Sequence, residues 1–210
     1  MPLGKALKLL YPRRLPTGGS IATPQENGCC IRRPAEPNHE LAAWIGSRPQ
    51  DVDCLEITAE HFFQGGKRPL ATLRHQFPPF VHGLGLSLGS PGPLDSQRLG
   101  QFARVVRSAN PDWISEHIAF TRTAEADLGH LNPVLPTREM MKVIADHAME
   151  VSERCQKPVL LENITSPIQL TGDLSKTDFL NQLCERADCG LLLDVTNLFI
   201  HSRKSLGRVP

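Results

Sequence analysis

Five short apolar segments, each ending in an acidic residue or a histidine, constrain the fold of this chain most strongly. They are residues 54–56, 80–82, 113–117, 159–163 and 191–197, and their polar ends are Glu56, His82, Glu116 with His117, Glu162 and Asp194. Short apolar runs of this kind are typical of strands buried in a parallel sheet. Because the carboxyl ends of parallel strands meet at one edge, we expect these polar side chains to converge.

The intervals between the segments leave room for helices. Amphipathic stretches at residues 95–109, 138–155 and 179–187 are predicted to be three of them. Strands alternating with helices predict an α/β fold of the (β/α) TIM-barrel type. A closed barrel has eight strand-helix units in about 250 residues, whereas this chain of 210 residues shows five convincing strands. We therefore expect an incomplete barrel, either the N-terminal portion of a longer protein or an open sheet.

Composition divides the chain into three parts. Residues 1–34 are rich in Pro and Gly and carry basic side chains against a single acid, which predicts a weakly ordered tail. Residues 35–203 contain the strands and helices of the partial barrel. Residues 204–210 depart from that pattern and form a divergent C-terminal end.

Charge and cysteine usage narrow the possible partners and location. With a formal net charge of +1 and charges of both signs, the chain has no strong positive potential that would attract nucleic acid or an acidic membrane. A small-molecule or peptide substrate is therefore expected. No apolar run approaches the ~20 residues of a membrane span. The six cysteines lack paired CxxC spacing and are predicted to be mostly reduced, buried thiols. These features favour a cytoplasmic protein.

The residue types at the strand ends indicate a metal site. Imidazole and carboxylate groups together suit a hard or borderline divalent ion, which leaves iron, manganese and zinc as candidates. Such a site would lie at the carboxyl end of the barrel, where barrel enzymes hold their active sites.

Five phrases give the sequence a resemblance to a known family. They are VHGLGLSLGS (81–90), SEHIAF (115–120), LNPVLPT (131–137), LLENITS (160–166) and GLLLDVTNLFI (190–200). Over roughly residues 50–203 the chain resembles the multinuclear non-haem iron-dependent oxidative enzymes. The resemblance implies a xylose-isomerase-like TIM barrel with two or three iron ions. It also implies oxidation of a ribosomally made precursor peptide, often at cysteine, commonly with a partner protein that presents the peptide.

The family's metal ligands correspond, in this sequence, to His82, His117, Glu162, Asp194 and Asn197. By the same resemblance, Glu116 and Asn163 would orient those ligands. Glu56 and His61 are further candidates for supporting or substrate contacts, although His61 stands where members usually have Asn. The family's later ligands do not occur before residue 210. The resemblance therefore implies that a complete multinuclear centre would not form from this chain alone.

Each candidate has a simpler structural interpretation. A lone histidine at a strand end is more often a hydrogen-bonded structural residue, but burying His82, His117 and Glu162 without partners would cost several kcal/mol, which favours ligand roles. Asp194 is similar, whereas Asn197 could equally cap a turn. For the chain as a whole, we keep two alternatives to the peptide oxidase. One is a divalent-metal isomerase or lyase acting on a sugar-like substrate, and the other is a non-catalytic remnant or binding scaffold.

Overall fold

The computed structural model describes residues 8–11, 30–32, 47, 53–64, 70, 77–123, 125–166, 168 and 170–206. At 8–11, 30–32 and 201–206 only the backbone is described. All statements about the structure refer to these residues. Among them, no helix combines the length and the apolar character that crossing a membrane requires.

A seven-stranded sheet forms the centre of the fold. Its strands are β1 (Lys8–Tyr11), β2 (Cys30–Arg32), β3 (Cys54–Thr58), β4 (Pro79–His82), β5 (Ile114–His117), β8 (Val159–Glu162) and β9 (Gly190–Asp194). The spatial order is β1-β9-β8-β5-β4-β3-β2, and only β1 is antiparallel to its neighbour. The five predicted segments are β3, β4, β5, β8 and β9. In the described part of the chain the sheet does not close, so the barrel is incomplete, as the sequence predicts.

Within the described residues, four α-helices accompany the strands: α1 (Ser96–Ala109), α2 (Arg138–Cys155), α3 (Lys176–Ala187) and α4 (Val195–Leu206). A short 3-10 helix (Ala59–Phe62) follows β3. The side chains of Asp95, Thr137 and Ser175 accept hydrogen bonds from backbone N–H groups in the first turns of α1, α2 and α3. These caps satisfy donors that have no partner within the helix, and they explain where each helix begins.

The two faces of the sheet are covered differently. Val81, Ile114 and Leu161 are fully buried in the main core, which includes Phe102 of α1 and Ile144 of α2. Alternate positions form a smaller cluster on the other face: Trp113, Leu160, Leu192 and Phe80. Because side chains alternate along a strand, His82, His117, Glu162 and Asp194 point to the face of this smaller cluster. Strand periodicity therefore brings the candidate ligands to the side away from the main helical core.

Part of the chain differs from the sequence-based expectations. Residues 120–132 form an antiparallel hairpin of β6 (Phe120–Arg122) and β7 (Asp127–Asn132), which is not among the five predicted strands. Strands β1 and β2 lie within residues 1–34 and pair with β9 and β3. Residues 204–206 continue α4 rather than separating from it. The rest of the predicted tail and residues 207–210 lie outside the described residues, so the domain boundaries stay a prediction.

The cysteines also differ from one another. Cys54 is disulfide-bonded, contrary to the expectation for a buried thiol in β3. Cys155, Cys184 and Cys189 are reduced, as predicted, and Cys155 and Cys189 are buried.

Candidate metal centre

His82, His117 and Glu162 form one buried cluster at the carboxyl ends of three adjacent strands. One ligand atom from each residue lies within 4.8 Å of the other two. The exposed fractions of the three residues are 0%, 5% and 1%, respectively. The imidazole rings of His82 and His117 meet edge to face with centroids 4.5 Å apart. Two nitrogens and a carboxylate oxygen at this separation are a donor set that a divalent ion can bridge.

The strand register explains why these three residues meet. His117 in β5 is directly opposite Glu162 in β8, and His82 in β4 is opposite Ser115, which precedes His117 by two positions on the same face of β5. His82 is therefore level with the position two residues before His117 and Glu162 in the sheet. Glu162 Oε2 is nevertheless only 3.7 Å from His82 Nδ1, so its carboxylate faces both rings.

Ser115 orients His82. Its Oγ lies 2.8 Å from His82 Nδ1, within hydrogen-bonding distance, and it is 1% exposed. A hydrogen bond at Nδ1 fixes the ring and leaves Nε2 as the nitrogen for ligation. Ser115 was not a sequence-based candidate, although its position two residues before His117 in a strand places it on the ligand face.

Glu116 supports both His117 and the glycine-rich loop that follows β4. Its Oε1 accepts a hydrogen bond from His117 N (2.8 Å) and lies 3.5 Å from His117 Nδ1. Its Oε2 accepts a hydrogen bond from Leu86 N at 3.0 Å. A Cβ atom at Gly83 would lie 2.6 Å from this same oxygen, so the loop can approach Glu116 only with glycine there. Glu116 thus lies where it could orient His117, and this orienting role stays a prediction.

The lack of a hydrogen-bond partner for His117 Nδ1 in the part of the chain that the structure describes is the observation that fits a metal site most directly. This nitrogen is buried and has no hydrogen-bond partner among the described residues. A buried polar atom without a partner is costly unless something outside the protein satisfies it. A metal ion held by the cluster could satisfy a ring nitrogen of His117.

Asp194, Asn163 and Asn197 form a separate hydrogen-bonded group beside this cluster. Asn163 Nδ2 donates a hydrogen bond to Asp194 O (3.0 Å), and Asn163 Oδ1 accepts one from Asp194 N (2.7 Å). Asp194 Oδ1 accepts a hydrogen bond from Asn197 N at 2.9 Å. Asn197 Nδ2 donates to Asn163 O, and Thr165 Oγ1 donates to Asn197 Oδ1. In this arrangement Asp194 caps the start of α4.

The register accounts for the separation of Asp194 from the cluster. Glu162 is opposite Leu192 in β9, so Asp194 lies two residues further along the strand. Asp194 is 8% exposed, and the compact group of three does not include it. The ligand roles of Asp194 and Asn197 therefore stay predictions.

The two remaining candidates lie apart from the cluster. Glu56 is buried in β3, two residues before Thr58, and Thr58 is opposite His82. His61 is exposed in the 3-10 helix and lines a cavity of about 740 Å³ together with Glu60, Arg98 and Arg122. None of His82, His117 and Glu162 lines this cavity. We therefore place the candidate chemistry at the buried cluster of His82, His117 and Glu162 and not in the cavity beside His61.

Glu60 holds the glycine-rich loop after β4 through hydrogen bonds, a role that the sequence did not indicate. Its Oε1 accepts hydrogen bonds from Leu84 N and Gly85 N at 2.8 and 2.9 Å. Burial, followed by the nearby charge of Glu116, raises the pKa of the Glu60 carboxyl above its ordinary value of 4.5 despite these donors. No local sequence signal identifies it, because its partners are backbone groups of a loop some 24 residues away.

A family model and curated relatives match most of the chain. The model described as RiPP precursor modification enzyme MbnB/TglH/ChrH matches residues 37–206. A UPF0276 protein of Chromobacterium violaceum is 34% identical over 167 residues, covering 78% of this chain and 59% of its own length. A UPF0276 protein of Rhizobium meliloti is 35% identical over 150 residues, with 70% and 48% coverage. The chain thus spans about half to 60% of the length of these relatives.

Solved structures support the fold. The structure of D-psicose 3-epimerase from Clostridium cellulolyticum H10 with D-tagatose gives a TM-score of 0.53 at 13% identity, covering 79% of this chain and 61% of that one. A D-psicose 3-epimerase structure determined in the presence of D-fructose gives 0.51 at 12% identity, with 76% and 60% coverage. These likenesses concern the α/β barrel architecture alone.

Proposed function

Because this chain belongs to the family described as RiPP precursor modification enzyme MbnB/TglH/ChrH, we propose that it carries the iron-binding part of an enzyme that oxidises a ribosomally made peptide. The target would be a cysteine or the neighbouring backbone of a precursor peptide, with dioxygen as oxidant. The observation that carries the proposal is the buried group of His82, His117 and Glu162, whose ligand atoms lie within 4.8 Å of one another.

The donor set fits iron. Imidazole and carboxylate ligands with positions left open are typical of non-haem iron sites that react with dioxygen. When bound, iron supplies redox chemistry that the side chains of this cluster lack. His117 Nδ1 is buried and has no hydrogen-bond partner within the described part of the chain, which supports a ligand role for His117.

The protein's own residues would hold and orient these ligands. Ser115 fixes the ring of His82, and Glu116 fixes the glycine-rich loop above His117. Glu162 faces both rings and would balance the charge of a bound cation. A second or third ion would need further donors. We propose Asp194 and Asn197 for that role, with Asn163 holding the β9 end in position.

Several features favour a peptide as the substrate. The family description names RiPP precursors, and the net charge of +1 supplies no field that would select nucleic acid. A partner protein that presents the peptide is part of the proposal. The chain spans about half to 60% of the length of the matched relatives, and the peptide substrate, the oxidation and the partner protein are all part of the proposal.

The test is anaerobic reconstitution of the full chain with ferrous iron, followed by metal analysis and measurement of dioxygen uptake with a cysteine-containing precursor peptide. We expect bound iron and peptide-dependent uptake, both reduced in His82→Ala and His117→Ala. His130→Ala is the matched control, because His130 is exposed in β7.

Two outcomes would overturn the proposal in different directions. Preferential binding of zinc or manganese without dioxygen uptake would favour the isomerase or lyase acting on a sugar-like substrate. A folded chain with neither bound metal nor turnover would favour a non-catalytic scaffold.

A further inference from the structure

Two thiols lie at the junction between α3 and β9. The backbone N–H groups of Asp188 and Cys189 both donate to the carbonyl of Cys184. Asp188 has a left-handed backbone, with φ of 47°. This pattern is the Schellman-type end of a helix, in which the chain reverses sharply and meets the last turn again.

A helix end of this kind brings particular side chains together. The residue after the left-handed position contacts a residue in the last helical turn, and in most proteins that contact is apolar. Here both positions are cysteine, and the side chains of Cys184 and Cys189 are hydrogen-bonded to each other. Cys189 is buried, whereas Cys184 is half-buried. The fold thus holds one accessible thiol against one protected thiol.

We propose that Cys184 and Cys189 form a redox-active pair that hydroperoxides convert to an intramolecular disulfide. In the first step the Cys184 thiolate attacks one peroxide oxygen. The O–O bond breaks, Cys184 becomes a sulfenic acid, and hydroxide leaves and takes up a proton. In the second step the Cys189 sulfur attacks the Cys184 sulfur and displaces water. Two thiols and one hydrogen peroxide thus give one disulfide and two waters.

The environment assigns different roles to the two thiols. The hydrogen bond with Cys184, and then burial, raise the pKa of the Cys189 thiol far above its usual range. Cys189 therefore keeps its proton and can donate it to a thiolate at Cys184, which is the less buried of the two residues. Cys155 shows the contrasting case, because burial raises its pKa to about 11 and no second thiol is described beside it.

The pair is independent of the proposed metal chemistry. It lies at the start of β9, whereas Asp194 is at the other end of that strand. The disulfide would close a very short loop, and the entropic stabilisation by a disulfide grows with loop length. We therefore expect a chemical response to peroxide with little change in the melting temperature.

The test uses the full chain treated with hydrogen peroxide in the presence of a chelator, which suppresses iron-dependent oxidation. Remaining thiols are then alkylated and the protein is digested with trypsin. Arg186 lies between the two cysteines, so cleavage there separates them unless a disulfide links the fragments. We expect linked fragments, two hydrogens lighter than their sum, that dithiothreitol separates.

Matched variants make the result specific. The link should persist in Cys155→Ser and disappear in Cys184→Ser and Cys189→Ser. Cys189→Ser should also accumulate a sulfenic acid at Cys184 that a dimedone-type reagent labels. The proposal is wrong if Cys184 and Cys189 of the wild-type protein can both still be alkylated after peroxide treatment. It is also wrong if Cys184 is oxidised to a sulfinic acid without forming the disulfide. Neither result would bear on iron binding.

Discussion

Glu162 and His117 are register partners at the carboxyl ends of β8 and β5, and the same Glu162 carboxylate lies 3.7 Å from His82. One acidic group thus faces both imidazoles from the neighbouring strand. Each imidazole can serve one ion, whereas a carboxylate in this position can bridge two. The geometry therefore makes Glu162 the residue on which charge balance in the cluster depends most.

The first prediction follows from this position. Glu162→Gln should retain less metal per folded chain than either His82→Ala or His117→Ala, because it removes the only negative charge of the three-residue cluster. Metal content is measured after gel filtration, at equal folding judged by circular dichroism. If Glu162→Gln keeps its metal while either histidine variant loses it, Glu162 does not bridge and must be reassigned to substrate contact or to support of the ligands.

A second prediction concerns Ser115. Ser115→Ala removes the hydrogen bond to His82 Nδ1 without touching a proposed ligand. Loss of such an orienting group typically lowers metal affinity about 10–100-fold, and we expect a decrease in that range with the fold retained. Isothermal titration under anaerobic conditions gives the affinity.

The control for Ser115 is Ser152→Ala. Ser152 Oγ donates to Lys157 O at the distant end of α2, so this change also removes one hydroxyl hydrogen bond. It should leave the affinity unchanged. Equal losses in the two variants would indicate general destabilisation rather than orientation of His82.

Much of the framework could be predicted from the sequence because its signals are local. Apolar runs ending in polar residues correspond to β3, β4, β5, β8 and β9. The predicted helix at 138–155 coincides with α2. Strand periodicity and helix periodicity are properties of consecutive residues, so one sequence suffices to detect them.

Other features depend on contacts between distant segments. The register that separates Asp194 from Glu162 is set by pairing of β8 with β9, and no local pattern reports it. Strand β7 has no buried residue and pairs irregularly with β6, so it lacks the alternating pattern of a half-buried strand. His147 of α2 is buried, and its two ring nitrogens lie 2.8 and 2.9 Å from the carbonyl oxygens of Leu88 and Gly92, residues far from it in sequence.

A third prediction uses the pH dependence of stability at Glu60. Because its folded-state pKa is raised above 4.5, the folded protein binds its proton more tightly than the unfolded chain. Stability should therefore fall as pH rises through the interval between the two pKa values. Glu60→Gln keeps an acceptor oxygen for Leu84 N and Gly85 N but removes the buried charge. It should raise the melting temperature at neutral pH, and the gain should vanish below pH 4.5.

Thermal unfolding of wild type and variant across this pH range measures the effect. Glu125→Gln is the control, since Glu125 is exposed and lines the same cavity as Glu60. A Glu60→Gln protein that is less stable than wild type at neutral pH would mean that the charge-assisted bonds to the loop outweigh the cost of burial.

The last prediction compares two glycines with opposite surroundings. At Gly83 an added Cβ would lie 2.6 Å from Glu116 Oε2 and 3.0 Å from Phe102 Cε2. The Glu116 carboxylate is held by hydrogen bonds from His117 N and Leu86 N, so it cannot move aside without losing them. Gly83→Ala should therefore destabilise the chain by about 1–3 kcal/mol, the usual cost of overpacking.

Gly100 in α1 provides the contrast, because an added Cβ meets nothing within 4 Å. Glycine weakens a helix interior, so Gly100→Ala should stabilise the protein by about 0.5–1 kcal/mol. Urea unfolding in the presence of a chelator measures both changes without a contribution from bound metal. A Gly83→Ala chain as stable as wild type would show that the glycine-rich loop can move away from Glu116. In that case Glu116 would not be fixed by its bond to Leu86, and its role in holding His117 would fail with it.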